Sequence, residues 1–499
     1  MFILRQIRST AVSEPDKLAL AADGRPLAYG GFWRLIEARR RLLAAQLPAR
    51  GVVVISIDSM ADAWILSLAA RSLGLDAGVV REAEQVALFT DLEIAGVITL
   101  ASEARPAVAL PAGVKHLVLA SVFDEPLDTR GPLPPLPDPL GAGGQVMLTS
   151  GTTGRSKRVL SIRGNLQDMM DDYAAGYVEL GERFRQHGPD TVLNILGMGL
   201  WTGAGHSRPL FVWSLGGAVV MHAAANVERT FTWPGITHTL ATPGYLTALM
   251  GLPEGAFPYL PEMQLMVVSG SLSPALARAT RRRLTPRILV NLSATETGAW
   301  ARTLIETDED LRWYRLDPRR SVEVVDDAGN PLAPGELGRV RVDLQESRIN
   351  GYIGDPETTA AFFSDGWFYP GDLGVLDGKG RLALYGRSTD IVHIRGNKHP
   401  AEPWEHAIQE ALGCEGVCVL SGSWGSEEEE LHLFIESRRP ITPEALTAAV
   451  QATLSGFPGV HVHLVETLPR TPGGKLKRIE LAQGLHQGSP PASRPATEA

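Results

Sequence analysis

The chain has 499 residues, 44% hydrophobic and 21% charged, with a formal net charge of −9. A single core stops growing near ~250–300 residues, so at least two domains are expected. The balance is that of a globular protein. Its acidic charge offers no nucleic-acid footprint, and two cysteines exclude a disulfide framework and a four-cysteine zinc site.

The opening MFILRQIRSTAVSEPDK has too short an apolar stretch for a secretory signal. No window reaches the ~18 uncharged apolar residues of a membrane span, so a cytoplasmic setting is expected. Residues 32–47 have the apolar spacing of a helix, 51–57 (GVVVISI) that of a buried strand, and 61–75 that of a second helix. GVITL (96–100) and HLVLA (116–120) read as further strands, and a proline-rich connector follows at 131–144. The alternation resumes with strands at 237–243, 263–271 and 287–294, separated by helical segments. From Ser321 the texture becomes hairpin-like, with SVEVV, RVRVDL and GRLALYGR. After Arg387 come helices at 403–412 and 442–454 and strands at 417–421, 431–435 and 461–465. The reading is an α/β fold: a large N-terminal domain of mostly parallel sheets flanked by helices, with a β-rich subdomain, and a small α+β C-terminal domain. The expected boundaries are 1–386 and 387–485, with 486–499 a disordered polar tail.

The sharpest local signal is MLTSGTTGRSKRV (147–159). A short strand runs into Thr149, Ser150, Gly151, Thr152, Thr153 and Gly154, with Lys157 just beyond. Backbone N–H groups and hydroxyls of that kind suit a polyphosphate, and a lysine adds charge. The chain has 40 arginines and only 7 lysines, so a lysine here is a selective choice. No Gly-Lys-Ser/Thr follows, which excludes a Walker A loop; a plain Ser/Gly linker is the other reading.

TSGTTGxxK resembles the phosphate loop of the adenylate-forming superfamily: acyl-CoA synthetases, adenylation enzymes and luciferases. Further motifs follow in order across residues 10–482. VVSGSLSP (267–274) resembles the turn lining the adenine and acyl side, with Gly270 and Ser271 there, although Ser273 and Pro274 also suit a plain helix start. NLSATETG (291–298) resembles the Tyr-Gly-x-Thr-Glu motif. Thr295 is then expected to donate to the α-phosphate. Glu296 is expected to hold Mg2+, since a carboxylate beside phosphates needs a bridging cation. Leu292 stands where the family stacks an aromatic ring on adenine, and Ser293 replaces a glycine. GWFYPGDLG (366–374) implies that Asp372 binds the ribose hydroxyls, and Arg387 matches a second ribose contact. Thr389 replaces the usual hinge Asp or Lys, and Gly396 matches the glycine that approaches the thiol arm. In LPRTPGGKLKRIEL (468–481), Lys475 matches the catalytic lysine of the mobile domain, a point charge that stabilises developing negative charge.

The resemblance implies an AMP-forming acid–thiol ligase. ATP and a small carboxylic acid give an acyl-adenylate and pyrophosphate, and the acyl group then passes to a thiol. Coenzyme A is favoured as acceptor because the sequence carries no carrier domain. A separate carrier protein is the alternative, and a degenerate nucleotide- or acyl-binding paralogue a third reading. The acyl pocket is expected around 194–206 and 241–247, where Gly197, Gly199, Gly203 and Gly205 leave space and Trp201 forms a wall, suiting an apolar or aromatic acid. No nucleic-acid partner is expected, and the oligomeric state stays open. Cys414 and Cys418 read as buried hydrophobes, His461 and His463 as a solvated strand face, and Glu427–Glu430 as a hairpin tip.

Overall fold

The computed structural model describes residues 2–103, 113–124, 142–150, 156–161, 186–222, 227–270, 272–344, 351–388, 390–394, 397–422, 430–455, 459–470 and 476–486, with single positions 110, 136, 184, 349 and 457. The proline-rich connector up to residue 141 (Leu136 apart) and the polar tail from 487 lie outside the described residues.

Two largely parallel sheets build the N-terminal part. In chain order the strands are β1 (Leu18–Ala22), β2 (Arg25–Ala28), β3 (Val52–Ser56), β4 (Asp76–Val80), β5 (Ile94–Leu100), β6 (His116–Leu119), β7 (Gln145–Ser150) and β8 (Ser156–Ser161). They continue with β9 (Val192–Leu196), β10 (Ala218–Met221), β11 (His238–Ala241), β12 (Gln264–Val267), β13 (Ile288–Ala294) and β14 (Gly298–Leu304). One sheet has the order β14-β13-β12-β11-β9-β10-β1-β2, the other β6-β5-β3-β4-β7-β8. Within the first sheet only the outer pairs β13–β14 and β1–β2 are antiparallel; within the second only β7–β8 is. Strands such as β3, buried at every position, are the continuous apolar runs that a doubly covered parallel sheet requires.

Among the described residues the α-helices longer than four residues are α1 (Phe2–Ser13), α2 (Tyr29–Gln46), α3 (Met60–Arg71), α4 (Gly203–Ser214), α5 (Pro243–Met250), α6 (Pro274–Arg283), α7 (Pro356–Phe362), α8 (Ala401–Leu412), α9 (Pro443–Leu454) and α10 (Arg478–His486). The main core includes β3, β4, β9 and β10 side chains together with α3 and α4, where Trp64 meets Trp213 edge-on at 4.9 Å and stacks on His206 at 5.9 Å. Helices α5, α6, α7 and α9 all begin with a hydroxyl or carboxylate cap followed by proline: Thr242, Ser273, Asp355 and Thr442. Each cap accepts from a backbone N–H that the first turn leaves unpaired, and proline at the first position has no N–H to strand. The opening segment forms α1, with Ile3, Leu4 and Ile7 fully buried.

A third, antiparallel sheet follows: β15 (Tyr314–Arg315), β16 (Val322–Val325), β17 (Gly338–Asp343), β18 (Phe363–Ser364), β19 (Trp367–Phe368), β20 (Asp372–Leu376) and β21 (Arg381–Arg387). β16 and β17 form the expected hairpin. Beyond it lie β22 (Ile391–Ile394) paired with β23 (Asn397–Pro400), and the sheet β24 (Gly416–Gly422), β25 (Glu430–Glu436), β26 (Val460–Val465). This C-terminal part has its own apolar clusters, one around Ile408, Val419 and Leu433, another around Phe434, Val465 and Leu481. Cys414 and Cys418 are buried there, and burial raises their thiols to about 11 and about 12, so both stay protonated near neutrality.

Arg478 ties this part together. Its two terminal nitrogens donate to both carboxylate oxygens of Glu405 at 2.7 Å, and its Nε lies 3.0 Å from Asp390. Removing one member of a buried ion pair leaves the other charge uncompensated, at a cost of about 3–5 kcal/mol. Arg478→Ala is therefore expected to give an early unfolding transition in calorimetry. An unchanged melting profile would show that α10 docks by apolar contact alone.

Candidate functional site

Of the expected nucleotide residues, Thr149 lies near the end of β7, and Thr295 and Glu296 follow β13, with Thr295 beside the start of α4. Thr149 closes β7 beside Ser150, and the Thr149 hydroxyl is buried with no hydrogen-bond partner among the described residues, as a ligand-facing donor would be. Lys157 lies opposite Thr149 on β8. Gly151, Thr152, Thr153 and Gly154, and the side chains of Ser150 and Lys157, lie outside the described residues.

Near the end of β13 the register with β14 shifts between Leu292 and Ser293, and pairing resumes at Ser293–Ala299 and Ala294–Gly298. Ser293 is exposed and Glu296 is buried at 7% exposure. Thr295 sits against the start of α4: a side chain added at Gly203 would come within 3.0 Å of the Thr295 hydroxyl. α4 begins with Thr202 accepting from the Gly205 N–H at 3.0 Å. The positive end of a twelve-residue helix thus faces the Thr295 turn, an arrangement that favours an anion.

The link from Glu296 to the phosphate hairpin runs through a segment that motif reading passed over. Tyr352 donates its hydroxyl to Glu296 Oε1 at 2.8 Å, and the next residue, Ile353, donates its N–H to the Arg158 carbonyl of β8 at 2.9 Å. Burial, then Glu296, push the Tyr352 phenol well above its ordinary range, so it remains a donor. Arg158 is itself held by both carboxylate oxygens of Asp91. Arg320 braces the same turn from behind, donating to the Thr297 carbonyl at 2.9 Å and to Asp343. The sequence signal at GYIGDPETT was the Asp355-Pro356 helix start; nothing local marks Tyr352 as a partner of Glu296.

Other expectations are modified. Leu292 is 8% exposed in the core that also holds Trp300 and Tyr314, so the stacking position has been absorbed into the protein interior. The four glycines of 194–206 do not leave space. Side chains there would collide with Tyr245 at 2.9 Å from Gly197, with Trp201 at 2.6 Å from Gly199 and with the Gly199 carbonyl at 2.3 Å from Gly205. They are close-contact glycines: side chains of Tyr245, Trp201 and Thr295 pack on Gly197, Gly199 and Gly203, and Gly205 meets the Gly199 carbonyl. Arg81 lies over the Trp201 ring at 5.0 Å. Gly270 abuts Pro243 at the start of α5, and the residue before it, Ser269, has φ +68, a left-handed strain common at ligand turns. Ser273 does cap α6.

Asp372 and Arg387 face each other across β20 and β21, with the Arg387 Nε 3.0 Å from the Asp372 carboxylate. Arg387 also donates to the Pro370 carbonyl. Ser271, Thr389, Gly396 and Lys475 lie outside the described residues.

This arrangement has counterparts. The chain matches the AMP-binding enzyme family over residues 7–352 and belongs to it. It is 27% identical to an indoleacetate–CoA ligase of Aromatoleum aromaticum over 68% of this chain and 66% of that protein. It is 32% identical to a long-chain-fatty-acid–CoA ligase of Salmonella typhimurium, over only 33% of this chain and 29% of that one. Across 92% of this chain and 82% of the relative it is 26% identical to a 4-coumarate–CoA ligase-like protein of Oryza sativa subsp. japonica. The fold is shared with an anthranilate CoA ligase in complex with anthranoyl-AMP (TM-score 0.80, 17% identity, 97% of each chain). It is shared too with an amide bond synthetase of Marinactinospora thermotolerans (TM-score 0.75, 20% identity, 96% and 98%). Among the described residues no helix is long and apolar enough to cross a membrane.

Two substitutions probe this geometry. Tyr352→Phe removes a hydrogen bond to a charged group, worth about 1.5–3 kcal/mol. It is expected to lower kcat/KM for magnesium-ATP roughly 10- to 150-fold; an unchanged ratio would separate Glu296 from nucleotide handling. Leu292→Tyr adds volume to a packed core at a cost of about 1–3 kcal/mol. Melting temperature and ATP affinity should fall together. Tighter ATP binding in a protein of unchanged stability would show instead that position 292 faces the base.

Proposed function

We propose that the protein activates a carboxylic acid with ATP, forming an acyl-adenylate and pyrophosphate, and passes the acyl group to the thiol of coenzyme A. The observation that carries this reading is the Thr295–Glu296 turn: a buried carboxylate held by Tyr352 next to a hydroxyl at a helix N-terminus. That set has one position for a phosphate and one for a cation. Hard oxygen donors beside phosphates suit magnesium, so Glu296 would hold it. When bound, the ion neutralises phosphate charge. The chain's own residues do the rest. Thr149, Ser150 and the following small residues with Lys157 hold the phosphates, Thr295 donates to the α-phosphate, and Asp372 with Arg387 receives the ribose. Rate then comes from positioning the carboxylate in line and from fixed donors around developing charge.

We assign the catalytic lysine role to Lys475 and the thiol approach to Gly396, both on a C-terminal unit, residues 387–485, that moves between the two half-reactions. Separate apolar clusters on that unit support this division. The acid we favour is aromatic. Aromatic acids appear in the names of the indoleacetate and coumarate relatives.

A panel of aryl and alkyl carboxylates, read by pyrophosphate release with and without coenzyme A, tests the reading. Aromatic acids should release pyrophosphate, and CoA should then yield the thioester. Turnover only with a carrier protein would reassign the acceptor, and no release from any acid would leave a binding paralogue. Lys475→Ala is expected to slow adenylation about 100- to 1000-fold, the usual loss when one charge stabiliser is removed, while thioester formation from supplied acyl-adenylate persists. Equal loss of both steps would refute the division of labour.

A further inference from the structure

Strands β25 and β26 run parallel, with His432 opposite His461 and Phe434 opposite His463. Alternation puts Glu430, His432 and Phe434 on one face of β25 and His461 and His463 on the same face of β26. The opposite face, with Leu431, Leu433 and Ile435, belongs to the core cluster that includes residues of α8 and α9. Read along β26 alone, the two histidines look like a solvated edge. The sheet corrects this by laying a glutamate and a third histidine beside them.

The geometry is that of a ligand set. Glu430 Oε2 lies 3.4 Å from His461 Nε2 and 3.7 Å from His432 Nε2. All three potential ligand atoms fall within 4.8 Å of one another. A tetrahedral ion with bonds of ~2.0–2.2 Å needs ligand atoms about 3.3–3.6 Å apart, so little movement is required. The other ring nitrogen of His432 lies 2.9 Å from His463 Nε2, the kind of outer contact that fixes the orientation of a metal-binding imidazole. His463 is in turn stacked on Phe434 at 4.6 Å. Two imidazoles and one carboxylate suit a borderline ion such as zinc, whereas magnesium and calcium prefer oxygen alone.

We propose that Glu430, His432 and His461 form a binding site for one divalent transition-metal ion, zinc foremost, with His463 orienting His432 and the fourth position open to water. The ion would clamp β25 to β26, the strand whose continuation leads to Lys475.

The test uses the full chain and zinc alone, titrated against a chromophoric chelator, with cobalt as a spectroscopic substitute. The wild type should bind one equivalent, melt higher with zinc, and give the intense visible bands of four-coordinate cobalt. His461 is half exposed, so His461→Ala should fold normally by circular dichroism, as should Glu430→Gln. Each is expected to weaken zinc at least 10- to 100-fold and abolish the cobalt bands. Glu296→Gln should bind zinc as the wild type does, which separates this site from the nucleotide pocket. The proposal is overturned if the wild type takes up no zinc, if His461→Ala and Glu430→Gln both bind as tightly as the wild type, or if binding is lost in Glu296→Gln instead. None of these readouts depends on the proposed ligase activity.

Discussion

A single buried guanidinium, that of Arg71 at the end of α3, ties together the elements on which the site depends. Its Nε donates to the Gly143 carbonyl at 3.0 Å, and one terminal nitrogen lies 2.9 Å from His206 Nε2. Burial pushes Arg71 down to about 10 while Asp76 acts to raise it, so it stays charged at neutral pH. His206, driven well below its usual range by burial and then by Arg71, stays neutral and can accept. Asp76 accepts from the Gly144 N–H at 2.7 Å, and a side chain at Gly143 would strike the Leu75 carbonyl at 1.7 Å. Residues 143–144 lead into β7, which carries Thr149. His206 lies in the first turn of α4, whose start abuts Thr295. A charge that is costly to bury is matched on several sides, and the hydrogen bonds that match it set the spacing between phosphate hairpin and helix N-terminus.

Much of the scaffold could be read from the chain because parallel strands covered on both faces leave apolar runs that nothing else explains. GVVVISI is one, and MQLMVV another. α1 is absent from the expected helices although Ile3, Ile7 and Ala11 recur at helical spacing on its buried side. In the site, residues adjacent in sequence were legible together, as Thr295 and Glu296 were. Their supports were not: Tyr352 reaches Glu296 across 56 residues, and Arg158 reaches Asp91 across 67. The glycines of 194–206 show the opposite error. Missing side chains suggested room, yet neighbouring side chains fill it at three of the four positions and a backbone carbonyl at the fourth. Leu292 marks the same limit, since its place in the motif does not reveal that the side chain has joined the core.

The C-terminal unit shows an asymmetry that bears on how it could work. Inside it, the charges are buried and multiply bonded: Arg478 with Glu405 and Asp390, and Arg470 with Glu436. Between it and the N-terminal part, the ion pair from Arg278 to Glu410 spans 2.7 Å with both side chains largely exposed. Exposed pairs are worth about 0–1 kcal/mol and weaken further with salt. Breaking that bridge costs little, while breaking the internal set costs several times more. β21 also passes close to α8, where a side chain on Gly386 would come within 3.0 Å of Glu402. Gly386 has φ +99, a conformation glycine takes without strain. Weak coupling of this kind is consistent with the proposed movement of the C-terminal unit. This is what a single chain needs if Lys475 and Gly396 are to serve two chemical steps at one fixed nucleotide site.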